Sequence, residues 1–273
     1  MTVGQQSIVT RWPRVRAHAK RLGVRAETGS ARQAWLDALR GFAVAWMTAF
    51  HFSFDLNHFG WIHQDFYRNP VWTVQRTCIL SLFLFCAGWG QSIAVVNGQT
   101  KQQFWRRWLQ VAGCAALVSI GSWFMYPQSW IYFGVLHGIA VMLLVTRLTV
   151  ASGAWLWPAG ALTLLIWWSA PFLHSQFTFM SVFNSGVLSW IGLAVSKPIT
   201  EDYVPLFPWM AVMWWGYASG KAWLGRSSGA SRAIRPHPNS TYAALTWLGR
   251  SSLSWYMLHQ PVMLGVLIVV SKL

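Results

Sequence analysis

Acidic residues are scarce in this chain: six Asp and Glu among 273 residues, and 10% charged residues of either sign. An ordinary soluble domain carries about 25% charged residues, so a conventional water-facing surface is excluded. Cysteine is nearly as rare. Cys78, Cys86 and Cys114 lie in apolar runs without metal-type spacing, which excludes a thiolate metal centre and leaves three small buried hydrophobes. The chain also lacks an HExxH-type motif, internal repeats and a sign of a second domain. Its first 34 residues have no apolar core of the signal-peptide kind. They read as a basic, disordered cytoplasmic tail (1–34) ahead of a single transmembrane domain (35–273).

Apolar and aromatic residues are abundant, at 55% hydrophobic with 21 tryptophans. Runs at about 36–56, 71–96, 104–124, 131–147, 153–172, 203–221 and 246–270 each approach the roughly 20 residues that a spanning helix needs. The expected fold is therefore all-α, a polytopic transmembrane bundle. A further stretch, 179–196, is broken by Ser181, Asn184, Ser185, Gly186, Ser189 and Gly192, and fits an interfacial or re-entrant segment. Lys and Arg collect in short cytoplasmic loops. Here they cluster in the tail, in 97–107, at Arg147 and in 221–250. Seven spans with a cytoplasmic N-terminus put all four clusters on one side, whereas an eighth span at 179–196 would send the last cluster across. The +15 formal charge follows from such loops facing an anionic leaflet, so no nucleic-acid partner is expected.

The first run carries Asp37, Arg40, His51, Asp55 and His58. At 100° per residue all five fall within about 40° of one line along a helix. Ionisable groups at membrane depth are expensive and mark functional sites. Arg40 and His51 are three turns apart, about 16 Å of rise. Asp55, one turn beyond His51, can accept a hydrogen bond from one ring nitrogen and raise the basicity of the other, as a general base requires. Asp37 and Arg40 form an i,i+3 pair that can leave the guanidinium free for a phosphate. His51, Asp55 and His58, followed by His63 and Asp65, also stand at metal-ligand spacing. No fourth-ligand motif accompanies them, so neither metal nor haem is expected.

The run LDALRGFAVAWMTAFHF (36–52) resembles the opening of membrane-embedded acyltransferases, with Arg40 and His51 at the Arg, ten residues, His spacing of the acyltransferase-3 family. FGVLHGIAVMLL (133–144), EDYVPLFPWMAVMWWGY (201–217) and LGRSSLSWYMLHQPVML (248–264) sharpen the likeness towards the heparan-alpha-glucosaminide N-acetyltransferase-like group, the bacterial DUF1624 type. The resemblance implies an acyl-CoA donor, acetyl-CoA, bound from the cytoplasm, and a sugar amine or hydroxyl acceptor reached from the other side of a bacterial inner (plasma) membrane. It also implies that Arg40 helps to seat the donor and that His51 handles acyl transfer, as base or as acyl carrier. The role of Asp55 comes from spacing alone.

Three further places are candidates for an acceptor pocket. His137 sits between Gly134 and Gly138, where close approach is open to a ligand or a helix. Asp202 and Tyr203 precede Pro205, Pro208 and Trp209 and offer a carboxylate beside aromatic faces. His259 precedes Pro261, whose ring frees a backbone carbonyl and kinks a helix. The alternative function for the same stripe is a small-molecule or proton-coupled transporter, since intramembrane His and Asp also build proton relays. The sequence is silent on oligomeric state.

Overall fold

The computed structural model describes residues 28–226 and 239–273. Of the expected tail, residues 1–27 lie outside that range, and Thr28 onward is already helical. Eight α-helices run through the described residues: α1 Thr28–His58, α2 Pro70–Val96, α3 Lys101–Met125, α4 Val135–Leu148, α5 Leu156–Gln176, α6 Leu206–Arg226, α7 Ser240–Arg250 and α8 Ser252–Val270. Their starts are written locally. Asn69 caps α2 through the Val71 amide with Pro70 at the first turn, Thr100 and Gln103 form a capping box on α3, and Asn239 caps α7.

The fold is all-helical, as the apolar runs predict. Four stretches are both long and apolar enough to cross a bilayer: α2, α3, Val150–Gln176 and α8. α1 has the length at 31 residues, but its ionisable stripe lowers its mean hydropathy. α4, with 14 residues, is short. The 179–196 stretch forms two 3₁₀ turns, Thr178–Asn184 and Ser189–Ile191. The expected run 246–270 is two helices. Its break falls at Ser251 (φ −94°, ψ 12°), between Gly249, pressed against α1, and Ser252. Of the cysteines only Cys86 is buried; Cys78 and Cys114 are half-buried, and all three are free thiols.

Two backbone contacts organise the bundle. α2 lies on α6 so closely that a Cβ at Gly88 would strike the Met213 carbonyl, and one at Gly216 the Phe85 carbonyl. Small residues let helix backbones meet where lipid supplies no hydrophobic drive. Beside this contact Leu80, Leu84, Met142, Val204, Met210 and Met213 form the main core. The second contact joins α1 to α7: Gly41 faces Leu245, and Gly249 faces Asp37. α7 therefore runs antiparallel along the first half of α1, and after Ser251 the chain doubles back. α8 then follows α1 in parallel, with the Trp255 indole donating to Thr48 Oγ1 (2.8 Å).

Residues 126–134 and 197–205 are stitched together by hydrogen bonds to backbone carbonyls. Glu201 N donates to Ser129 O (2.9 Å), Val204 N to Phe133 O (3.0 Å), and Thr200 Oγ1 to Trp130 O (2.8 Å). The outward faces of α3, α5 and α8 are apolar, with Leu117, Phe124, Leu165, Trp168, Leu258 and Val262 exposed, as a lipid-facing wall requires.

Gly216→Leu is expected to destabilise the protein by about 1–3 kcal/mol or more, because the side chain has only backbone to displace. Gly113→Leu, where a Cβ meets nothing within 4 Å, is the control and should be near neutral. Thermal unfolding of both in detergent measures the difference.

Candidate functional site

At one end of the stripe Asp37 gathers arginines. Arg40 Nη1 donates to Asp37 Oδ1 (3.1 Å), as the i,i+3 spacing predicts, and Arg250 Nε approaches Asp37 Oδ2 (3.4 Å) from the end of α7. These are the ion pairs found among the described residues. Arg107 of α3 is close enough for both Arg40 and Asp37 to act on its charge. One carboxylate thus faces three guanidinium groups, a net charge of about +2 by formal count. Arg40 engages Asp37 through Nη1 alone, and its Nη2 lies 3.6 Å from the position of a Cβ on Gly90.

His51 lies three turns further along α1, half-buried, and makes no hydrogen bond among the described residues. Its ring meets His259 of α8, centroids 5.2 Å apart, and Phe50 packs edge-on beside it. Asp55 is 2% exposed. The hydrogen bond expected between Asp55 and His51 is absent; Gln260 Nε2 donates to Asp55 Oδ1 instead (2.7 Å). The physical reason is the course of α8, which brings an amide donor against the carboxylate that the α1 sequence alone does not contain. Three buried acceptors remain without partners here: Asp55 Oδ2, His259 Nε2 and Gln260 Oε1. His58, at the end of α1, is exposed and close enough to Asp55 for the two charges to interact.

His137, Asp202, Tyr203 and Trp209 come from the 126–134 and 197–205 segments and the helices that follow them, and their side chains are engaged in building the fold. Asp202 Oδ2 accepts from the Val135 amide (2.7 Å) and so caps α4. A Cβ at Gly134 would collide with that oxygen, which explains the glycine. Burial pushes the Asp202 carboxyl above the usual carboxylate range, opposed by the Val135 amide and by the charges of Lys197 and Arg76. His137 Nδ1 accepts from Gly134 N (3.3 Å), so Nε2 carries the proton and donates to Ser119 Oγ (3.1 Å), which donates in turn to Ile131 O (2.6 Å). The Tyr203 hydroxyl donates to Ser189 O (2.6 Å), and Trp209 packs on the main core. Of the residues expected to line an acceptor pocket, Asp202, His137 and Tyr203 thus each make hydrogen bonds that hold this part of the fold. Asp65 Oδ1 is engaged likewise, accepting from the Tyr67 and Arg68 amides.

Sequence reasoning missed Gln260 and Arg250. Gln260 sits between the two residues that drew notice, His259 and Pro261, and a neutral amide carries no signal until its carboxylate partner is known. Arg250 reads in the sequence only as part of a basic loop. Gly249 beside it was the available sign of a close helix contact.

Asp202→Ala is expected to lower stability by about 0.5–2 kcal/mol through loss of the α4 cap. Asp202→Asn, which keeps an acceptor oxygen, should cost less. Thermal unfolding of the two variants, with turnover per folded molecule unchanged, tests the structural assignment.

Neither a curated protein nor a solved structure matches the chain. A family model described as heparan-alpha-glucosaminide N-acetyltransferase, catalytic, matches residues 32–261. That interval runs from the first turns of α1 to Pro261 in α8. It takes in Asp37, Arg40, His51, Asp55, Arg250, His259 and Gln260, so both polar centres and the helices that join them fall inside one match. On this footing the chain belongs to the heparan-alpha-glucosaminide N-acetyltransferase catalytic family.

Proposed function

We propose that the protein carries an acetyl group from cytoplasmic acetyl-CoA to the amine or hydroxyl of a sugar or other envelope acceptor. The observation that carries this reading is the presence of two chemically distinct centres on one face of α1. One is a cationic cluster around Asp37; the other is an imidazole centre at His51 about 16 Å further on. In this reading Arg40, with Arg250 and Arg107, takes the donor's phosphates, for which planar guanidinium forks are suited. The pantetheine arm then reaches along the stripe to bring the thioester carbonyl to His51.

The acceptor approaches from the His58 end of α1. His51 takes its proton as the nucleophile attacks the thioester carbonyl carbon, and returns that proton to the leaving thiolate. Asp55, tethered by Gln260, contributes negative charge one turn away and favours the transient imidazolium. Water is kept out by Phe50, Phe54, Phe66 and Trp72, which pack along the same stretch of α1.

The test is acetyl-CoA binding and acetyl transfer by the purified protein in detergent. His51→Ala should lower kcat by about 10²- to 10⁴-fold in a folded protein, the usual contribution of a positioned acid–base group. Arg40→Ala should weaken acetyl-CoA binding by about 10- to 100-fold, the loss of a charge-assisted contact of roughly 1.5–3 kcal/mol. Wild-type turnover in a folded His51→Ala protein overturns the base. A folded wild type that binds no acetyl-CoA overturns the donor and favours the transporter class.

A further inference from the structure

Lys and Arg thin out at the end of the bundle where α1 stops and α2 starts. The described ones there are Arg68, Arg76, Lys197 and Lys272. Two of the four converge. Arg76 stands in the second turn of α2, about 9 Å of rise from Pro70, where its neighbour Gln75 accepts from the Trp46 indole of α1 (3.0 Å). Lys197 opens the segment that is bonded to 126–134. Its Nζ lies over the Tyr67 ring, 5.7 Å from the centroid. The charge of Arg76 acts on both Lys197 and Tyr67, so two cations and one ring, from three segments, form a single cluster.

Neither cation is neutralised at close range: among the described residues neither makes an ion pair or a side-chain hydrogen bond. The nearby carboxylates are committed to the fold. Glu201 Oε1 accepts from Ser129 Oγ (2.5 Å), and Asp202 Oδ2 accepts from the Val135 amide. Partial desolvation lowers the Lys197 ammonium below the usual lysine range, and the like charge of Arg76 adds to this ahead of the opposing pull of Asp202 and Glu201. Holding two like charges together is unfavourable unless an anion joins them. The guanidinium and the ammonium together present about eight N–H donors and no acceptor.

The cluster borders the polar centre. Tyr126, at the end of α3, is close enough to Glu201 and to Asp55 for both charges to act on its hydroxyl. The segment that carries Lys197 therefore neighbours the Asp55 end of the α1 stripe, the end from which the acceptor approaches.

We infer that Arg76 and Lys197 form a phosphate subsite for the acyl acceptor: the two cations hold a phosphate ester of the acceptor while its amine or hydroxyl faces His51. The inference rests on the acyltransferase reading above and adds the class of acceptor, one that carries a phosphate. A planar guanidinium takes two phosphate oxygens and the ammonium a third. The phosphate arrives either on a soluble sugar phosphate or in a lipid headgroup, and the recognising chemistry is the same.

The experiment measures binding to the detergent-purified protein, without turnover. One arm titrates glucosamine 6-phosphate against glucosamine; the other titrates short-chain phosphatidylglycerol against short-chain diacylglycerol. At least one phosphate should bind the wild type about tenfold or more tightly than its phosphate-free counterpart and be displaced by inorganic phosphate. The tighter of the two names the source. Arg76→Gln and Lys197→Gln should each weaken that binding about 10- to 100-fold, the loss of a charge-assisted contact. Arg68→Gln, an exposed arginine outside the cluster, should change it by no more than roughly twofold. No preference for either phosphate, or equal losses in all three variants, overturns the subsite. Acetyl transfer from acetyl-CoA is followed in the same preparations. Phosphate binding with the expected residue dependence but no acetyl transfer removes the acyltransferase reading, whereas acetyl transfer without phosphate binding removes the subsite alone.

Discussion

Among the described residues helix backbones meet directly between two pairs of helices, and the candidate site depends on one of these contacts. Between α2 and α6, and again between α1 and α7, a glycine on one helix lies against a carbonyl of the other. Side-chain burial cannot substitute for these contacts in a bilayer, because acyl chains solvate Leu and Phe as well as another helix does. The α1–α7 contact has a further effect. It fixes Gly249 against Asp37, which sets where the chain must turn at Ser251 and hence the height at which α8 passes α1. His259 and Gln260 stand beside His51 and Asp55 because that height is fixed.

Polar groups in the interior differ in how far their hydrogen bonds close. Asp202, His137, Tyr203 and Ser119 close their hydrogen bonds on backbone and on one another and so hold the short α4 and its neighbouring loops. Around His51 the bonds do not close: Asp55 Oδ2, His259 Nε2 and Gln260 Oε1 remain buried acceptors without donors. In a low-dielectric surrounding both satisfied and unsatisfied groups weigh heavily, the first rigidifying a fold and the second marking where it departs from the most stable arrangement. Buried atoms without partners also occur at Gln91, Gln99, Thr146 and Arg147, so the site around His51 is marked by three such acceptors gathered together.

Much of this could be read from the chain itself. Apolar runs of spanning length located α1 to α6, because hydropathy along one segment is a local property. The shared face of Asp37, Arg40, His51, Asp55 and His58 follows from helical periodicity alone, as does the Asp37–Arg40 pair. The break at Ser251 was hidden in an apolar run because its cause, Gly249 against α1, lies more than two hundred residues away. The same distance concealed Gln260 as the partner of Asp55. Asp202 and Tyr203 read as a sugar platform because an acid beside aromatics has that composition; that the carboxylate caps a helix depends on the Val135 amide, brought from another loop. Pairings between distant segments, whether Asp202 with Val135 or Gln260 with Asp55, leave no periodic trace.

The cap on α4 also bears on how the protein is made. α4 has 14 residues, about 21 Å of helix against a hydrocarbon layer of about 30 Å, so it is poorly suited to lodge in the membrane alone. Its first amide is satisfied by a side chain 67 residues later in the chain. The ribosome must therefore complete α5 and the following turns before α4 acquires the partner for its N-terminus. The N-terminus of α4 is thus completed by a part of the chain made after α5, so its last hydrogen bond is long-range although the helix itself is local.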